Sequence, residues 1–185
     1  MTRRMMALAV MLVGVVAALV YLRNPHTPDF IERLRYPLEY KAIVRGHARN
    51  YRLEPALLAA VIYQESKFDA HAKSESGAIG LMQLLPSTAE GIAVHTGGSA
   101  FRTSDLWNPE INVRYGAFYL RRLLNKYGNE RLALAAYNAG QDNGDRWRAA
   151  GKGIAFAETR AYVSRVEKLK RIYREAWASD LGYRA

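Results

Sequence analysis

Cysteine is absent from the 185 residues. That removes disulfides, thiolate metal sites, a cysteine nucleophile and an N-terminal lipoprotein anchor. Histidine is scarce, at positions 26, 47, 71 and 95 only, and the four have no metal-ligand spacing, so neither metal nor cofactor is expected. No period-2 pattern of useful length and no internal repeat occurs, which leaves a mainly α chain. No GxGxxG and no P-loop is present, and Ser66 lacks a GxSxG context, so nucleotide binding and serine-nucleophile chemistry lack their usual frames. Acidic side chains are outnumbered, 17 against 27 Lys and Arg, for a formal charge of +10. Such an excess draws a surface to nucleic acid, anionic lipid or an anionic cell wall. The cations are spread along the chain and not blocked into arms, so a solvated basic surface is the plainer reading.

Half of the residues are hydrophobic, enough for the core of one domain plus an appendage. Arg3 and Arg4 precede an uncharged run from Met5 to Leu22. Its length is the lower end of what spans a bilayer, and the leading arginines place the N-terminus inside and the domain outside. An uncleaved inner-membrane anchor is therefore expected over 1–22, with the domain in the periplasm. Cleavage after Val16-x-Ala18 would instead make the run a signal peptide and the product secreted. Either reading exports the domain and argues against a nucleic-acid partner. Asn24-Pro25-His26-Thr27-Pro28 breaks any helix, and residues 23–35 are read as a linker, 36–178 as the catalytic domain and 179–185 as a tail.

From Tyr36 the pattern is helical. Pro37 is expected to open one helix and Pro55 the next, ALLAAVIYQES, whose apolar residues cover every face. A short helix starts at Pro86 and fades at Gly97-Gly98. Asn108, Pro109 and Glu110 are cap, first position and first turn of a long helix ending near Gly128. Leu132 to Ala139 is apolar and stopped by Gly140. A polar loop with further glycines is expected next, then a last helix from Thr159 to Trp177.

Chemistry gathers in Glu65 to Pro86, ESKFDAHAKSESGAIGLMQLLP. A carboxyl closing a buried helix loses hydration, which raises its pKa toward the range of a general acid, and the helix C-terminus pushes the same way. Ser74 and Ser76 are near enough in sequence to hydrogen-bond it from the loop, while Gly77 and Gly80 permit tight turns. Gln83, an amide among leucines and Met82, needs partners in main chain or ligand. Ala136-Tyr137-Asn138-Ala139-Gly140 ends another apolar helix with a phenol and an amide. Asp69 and Glu75 are the local candidates for a second acid, and neither is placed convincingly. One carboxylate suggests substrate-assisted glycoside chemistry. Trp147, in the glycine-rich stretch, is open to core packing or to stacking on a sugar.

Four motifs, Glu65-Ser66, Gly80-Leu81-Met82-Gln83, Ala136-Tyr137-Asn138-Ala139-Gly140 and Glu158-Thr159-Arg160-x-Tyr162-Val163, stand in order between Leu38 and Tyr173. In these the chain resembles the soluble-lytic-transglycosylase family, lysozyme-like enzymes that cleave peptidoglycan. The resemblance implies a goose-type lysozyme-like α fold whose cleft takes alternating N-acetylmuramic acid and N-acetylglucosamine. Glu65 would be the sole catalytic acid/base of a lyase that leaves a 1,6-anhydro ring. Ser74, Ser76, Tyr137 and Tyr162 would position Glu65 or the acetamido group, and Met82, Gln83 and Asn138 would line the cleft. Leu85 stands where relatives often have Met, Gln141-Asp142 where Pro-Gly is common, and the prolines common near Ala155 and Ala157 are missing. The rival readings are a muramidase that hydrolyses the same bond and a non-catalytic wall-binding module of an envelope assembly.

Overall fold

A helix with no polar face has to be enclosed, and Pro55–Ser66 is. Every residue from Ala56 to Ile62 is buried. Its four large aliphatic side chains each contribute about 1.5–3 kcal/mol of burial. The computed structural model describes residues 5–6, 9–12, 14–15, 28–96 and 100–183. Along it run α1 (Asp29–Arg35), α2 (Lys41–Asn50), α3 (Pro55–Ser66), α4 (Pro86–Thr96), α5 (Pro109–Tyr127), α6 (Glu130–Ala139), α7 (Gln141–Ala150), α8 (Ala157–Ala176) and α9 (Ala178–Leu181), with a 3-10 turn at Thr103–Trp107. The main core lies between α3 and α8, closed by α2, α5 and α6. A smaller cluster of Ile79, Leu84, Ile92, Leu106 and Tyr115 seats α4 and the loop before it on α5. Among the described residues there is no strand, only isolated bridges pairing Ile79 with Lys73 and Leu84.

Most of the expected boundaries fall where the local signals put them. Pro55 is the first residue of α3, and the Asn108 side chain accepts from the Glu110 and Ile111 amides at the head of α5. Gly128 ends α5 in the left-handed region.

Four expectations need correcting. Pro37 does not open a helix: α2 begins at Lys41, after Tyr40 turns the chain at φ 48°. Residues 29–35, read as linker, form α1, with Asp29 and Glu32 in its first turn and Arg33 and Arg35 in its last, the arrangement the helix dipole favours. The stretch after Gly140, read as a loop, is α7. Gly144 faces Tyr127 and Ala136, where a Cβ would meet both, so glycine permits close approach of α7 to α5 and α6. The polar residues of α7 lie on its outer side, where Asp145 pairs with Lys126 and accepts from the Tyr127 hydroxyl. The tail read at 179–185 belongs to the fold as far as it is described: Leu181 is buried, and the Tyr183 hydroxyl meets the Ala56 amide and Glu54.

The apolar run Met5–Leu22 lies largely outside the described residues. Met5, Met6, Val10, Met11, Leu12 and Val15, which are described, are helical and exposed. No helix among the described residues is long and apolar enough to cross a membrane.

One close approach underlies the packing of α5. Gly116 lies against the Met82 side chain, and any Cβ there would overlap the thioether. Gly116→Val should therefore cost about 1–3 kcal/mol through overpacking. A melting curve followed by circular dichroism should show a loss of about 2–4 °C per kcal/mol; an unchanged midpoint would mean that Met82 swings aside freely.

Candidate active site

Glu65 sits in the last turn of α3, and the exit from that helix sets its direction. Lys67 and Phe68 both have positive φ, 53° and 68°. Left-handed backbone costs a non-glycine residue roughly 1–2 kcal/mol, and burial of the Phe68 ring against Tyr63 and Tyr173 offsets that cost. The chain thus turns back under the helix end. The Ser66 hydroxyl, next to the acid, donates to the Leu81 carbonyl at 2.8 Å and ties α3 to the loop.

That loop is held from beneath by a residue the motif reading overlooks. Asn112 of α5 is fully buried. Its side-chain oxygen accepts from the Met82 amide at 2.8 Å, and its nitrogen donates to the Ile79 and Leu106 carbonyls at 2.8 and 2.9 Å. Gly80, at φ 76°, has Asn112 and the Leu106 carbonyl where a Cβ would stand, which is why the motif begins with glycine. A signal was available: Asn112, Gly116 and Leu120 share the buried stripe of α5 at four-residue steps, and an amide in core register must be bonded.

Around the carboxyl two phenols converge. Tyr162 of α8 donates to Glu65 Oε1 at 2.6 Å. Tyr137, at the end of α6, donates to the Met82 carbonyl at 2.8 Å and not to the acid, so it joins the AYNAG turn to the GLMQ loop. Thr159, one turn before Tyr162 and also buried, donates to Asn138 Oδ1 at 3.0 Å. Arg160 between them closes the α7–α8 loop on the Ile154 and Ala155 carbonyls. The fourth motif, at the head of α8, thus sets both the acid and the amide.

Part of the Glu65 side chain remains open, yet protein crowds the carboxyl itself, and that crowding governs its titration. Burial pushes its pKa up from 4.5 to about 7, and the Tyr162 hydrogen bond pulls weakly the other way. Burial, with the nearby Glu65 charge added, holds the Tyr137 and Tyr162 phenols well above their ordinary value, so both stay protonated donors. The result is a carboxylic acid charged and neutral in comparable amounts near neutrality, flanked by fixed hydroxyls.

Beside it is a recess of about 260 Å³ lined by Gln83, Leu84, Leu85, Thr88, Tyr119, Tyr137, Asn138, Ala139 and Gly140. Tyr119, absent from the expected set, packs its ring 5.5 Å from that of Tyr137. Tyr137 ties this recess to the acid, for Glu65 and Tyr162 are not among its lining residues; larger recesses, of about 440 and 650 Å³, include none of the three. The position of the acid, not volume, marks the site.

The remaining expected residues are placed differently. Gln83 lines the recess, at φ 46°, but spends its amide nitrogen on the Ala72 and Gly80 carbonyls. Met82 is fully buried and packs against Gly116, so its side chain does not line the cleft. Ser74 and Ser76 are 2.8 Å apart and hydrogen-bonded to each other, and Ser74 also accepts from the Ala78 amide; neither is bonded to Glu65. Trp147 is buried edge-on against Phe156, as core. Asp69 is exposed and accepts from the His71 amide, and Glu75 is exposed, so neither joins Glu65 as a second acid. Among the described residues no group of three or more His, Asp or Glu is gathered to hold a metal ion.

Comparison with known proteins gives the domain a family. The transglycosylase SLT domain matches residues 42–158. The soluble lytic murein transglycosylase of Salmonella typhimurium is 34% identical over 158 residues, 79% of this chain and 24% of that protein. The structure of an inactive mutant of lytic transglycosylase Slt from Pseudomonas aeruginosa superposes with a TM-score of 0.73 at 33% identity, over 80% of this chain and 26% of that one. That of a 70-kDa soluble lytic transglycosylase in complex with bulgecin A gives 0.74 at 29% identity, over 83% and 27%. The chain therefore spans about a quarter of the length of these relatives. With the matched domain covering more than half of its residues, and residues of the GLMQ loop and the AYNAG turn lining one recess, the chain belongs to the transglycosylase SLT family.

Proposed function

We propose that this chain is a peptidoglycan lytic transglycosylase in which Glu65 is the only acid/base. The observation that carries the reading is a single desolvated carboxyl at about pKa 7, hydrogen-bonded by Tyr162 and without a second carboxylate beside it. Protonated Glu65 donates to the glycosidic oxygen between N-acetylmuramic acid and N-acetylglucosamine, and the bond from that oxygen to the muramyl anomeric carbon breaks. The sugar's own N-acetyl group stabilises the resulting cation, the role a second carboxylate has in ordinary glycosidases. Glu65, now a carboxylate, takes the proton of the muramyl 6-hydroxyl, whose oxygen closes on the anomeric carbon. One C–O bond is lost, one is made, the acid is regenerated and no water is consumed.

The other site residues fit that sequence. Tyr162 fixes the rotamer of the acid. Tyr137 and the Asn138 amide, its oxygen already held by Thr159, face the recess with Gln83 and would meet the acetamido group and neighbouring hydroxyls. Ser74 and Ser76, near the surface, would contact the glycan and not the acid. The partner is then the glycan strand, and the murein for which its relatives are named favours the cell envelope. The uncharged run at 5–22 supports an inner-membrane anchor with the domain in the periplasm, as part of the same proposal.

Mass spectrometry of digested murein should show 1,6-anhydro products, one water lighter than hydrolysed ones. Water-added products would make the chain a muramidase, and binding without products would make it a wall-binding module. Turnover should fall as pH rises above about 7, where the acid loses its proton. In Tyr162→Phe the charged form loses its hydrogen bond, so that alkaline limb should move to higher pH while kcat drops; a limb left in place would separate it from Glu65.

Glu65→Gln should yield no product and still fold. Between 4.5 and about 7 the native state holds a proton that the unfolded chain has released, so wild-type stability falls through that window and is flat above it. Removing the charge should make the variant more stable than wild type above about pH 7, by at most roughly 3 kcal/mol, and no more stable below about pH 4.5. Paired thermal melts at the two ends of the range measure this directly.

A further inference from the structure

Helix α1 is amphipathic in the wrong sense for a helix that belongs to a core. Phe30, Ile31 and Leu34 are 64%, 40% and 81% exposed, and no residue of the helix is buried. On a helical wheel the three fall within an arc of about 100°. The polar side faces the domain. Glu32 is half-buried, with one carboxylate oxygen enclosed and without a hydrogen-bond partner. Arg33 donates to the Ala176 carbonyl at 2.7 Å and lays its guanidinium over the Trp177 ring. Leu85, Val94 and Phe156 are also exposed, but no two of them share a helical turn. Isolated apolar residues are ordinary on a surface; a contiguous trio on one helix is the feature that marks a contact.

We propose that the outward face of α1 lies in the interfacial layer of a bilayer, with Phe30, Ile31 and Leu34 among the upper acyl chains. The inference rests on the anchor reading of residues 5–22. Its occupant follows from position and charge. Only seven positions separate Leu22 from Asp29, which even fully extended span about 25 Å, so the helix is held within that distance of the membrane and meets its surface at high local concentration. Arg35 is exposed at the end of the apolar face, without an acidic partner among the described residues, and suits anionic headgroups. The helix is also fastened to the catalytic machinery: the Tyr63 hydroxyl donates to the Arg35 carbonyl at 3.1 Å, and Tyr63 lies two residues before Glu65 on α3. A docked α1 therefore sets the height and tilt at which the acid meets its polymer.

Because the chain has no cysteine, a single introduced thiol is a unique label site. Leu34→Cys, and Arg171→Cys on the exposed side of α8 as a reference, would each carry an environment-sensitive fluorophore. The full chain would then be reconstituted with vesicles of phosphatidylethanolamine and phosphatidylglycerol. Flotation with alkaline extraction reads the anchor, independently of the label. Docking predicts that, in floated protein, the Leu34 label shifts to the blue and is quenched by headgroup-proximal nitroxide lipids, while the Arg171 label stays aqueous. Adding Phe30→Ser and Ile31→Ser should return the Leu34 label to water without loss of flotation. A floated protein whose Leu34 label remains aqueous overturns the docking and leaves the anchor intact. A label already shielded before lipid is added, with a doubled native mass, assigns the face to a second copy instead. Protein that neither floats nor resists extraction removes the anchor reading, and this inference with it.

Discussion

A carboxyl largely withdrawn from water is the constraint on which the structure turns. α3 has no solvated side, so its last turn delivers Glu65 into a space already walled by protein. There the neutral acid is favoured, and the charge, when it forms, has the Tyr162 hydroxyl to receive it. Much of the rest keeps this arrangement rigid. The left-handed pair Lys67-Phe68 bends the chain back, Ser66 fastens the bend to Leu81, and Asn112 fixes the loop to α5. The general principle is that a perturbed pKa needs a wall that does not relax; a looser loop would admit water and return the acid to its ordinary range.

The same logic explains why polar residues are found inside. Asn112 bonds three backbone groups, two in the turn-rich loop at Ile79 and Met82 and one in the 3-10 turn at Leu106. Losing it would take the partner from the Met82 amide and the Leu106 carbonyl in the core, each at a cost of about 1–3 kcal/mol, while the Ile79 carbonyl would keep the Leu84 amide. The amide nitrogen of Gln83 does similar work at the surface of the loop, on Ala72 and Gly80. The irregular backbone of the cleft wall is thus built on two side-chain amides.

The sequence is informative here where a residue's own chemistry settles its setting. The unbroken apolar content of α3 implies burial all round, and a carboxyl at its end implies a shifted acid; both are as the structure has them. Asn108-Pro109 marks a helix start by itself. What escapes is whatever depends on a partner far along the chain. Gly144 is a helix breaker by propensity and a packing glycine in context, because Tyr127 and Ala136 approach it, so α7 is illegible locally. Trp147, which its sequence neighbours leave open between core and sugar platform, is buried, edge-on to Phe156. Tyr137 has an obvious need for an acceptor, but that it finds the Met82 carbonyl and not Glu65 depends on the register between α6 and a loop 55 residues earlier.

That last bond joins two segments that have no reason to meet until the chain has folded. Before then Glu65 is an ordinary side chain with a pKa near 4.5, ionised at neutral pH and unable to donate a proton. The acid is created by enclosure and lost with it. A chain in transit, or one partly unfolded, therefore carries Glu65 as an ordinary carboxylate, and its proton-holding form arrives only with the fold.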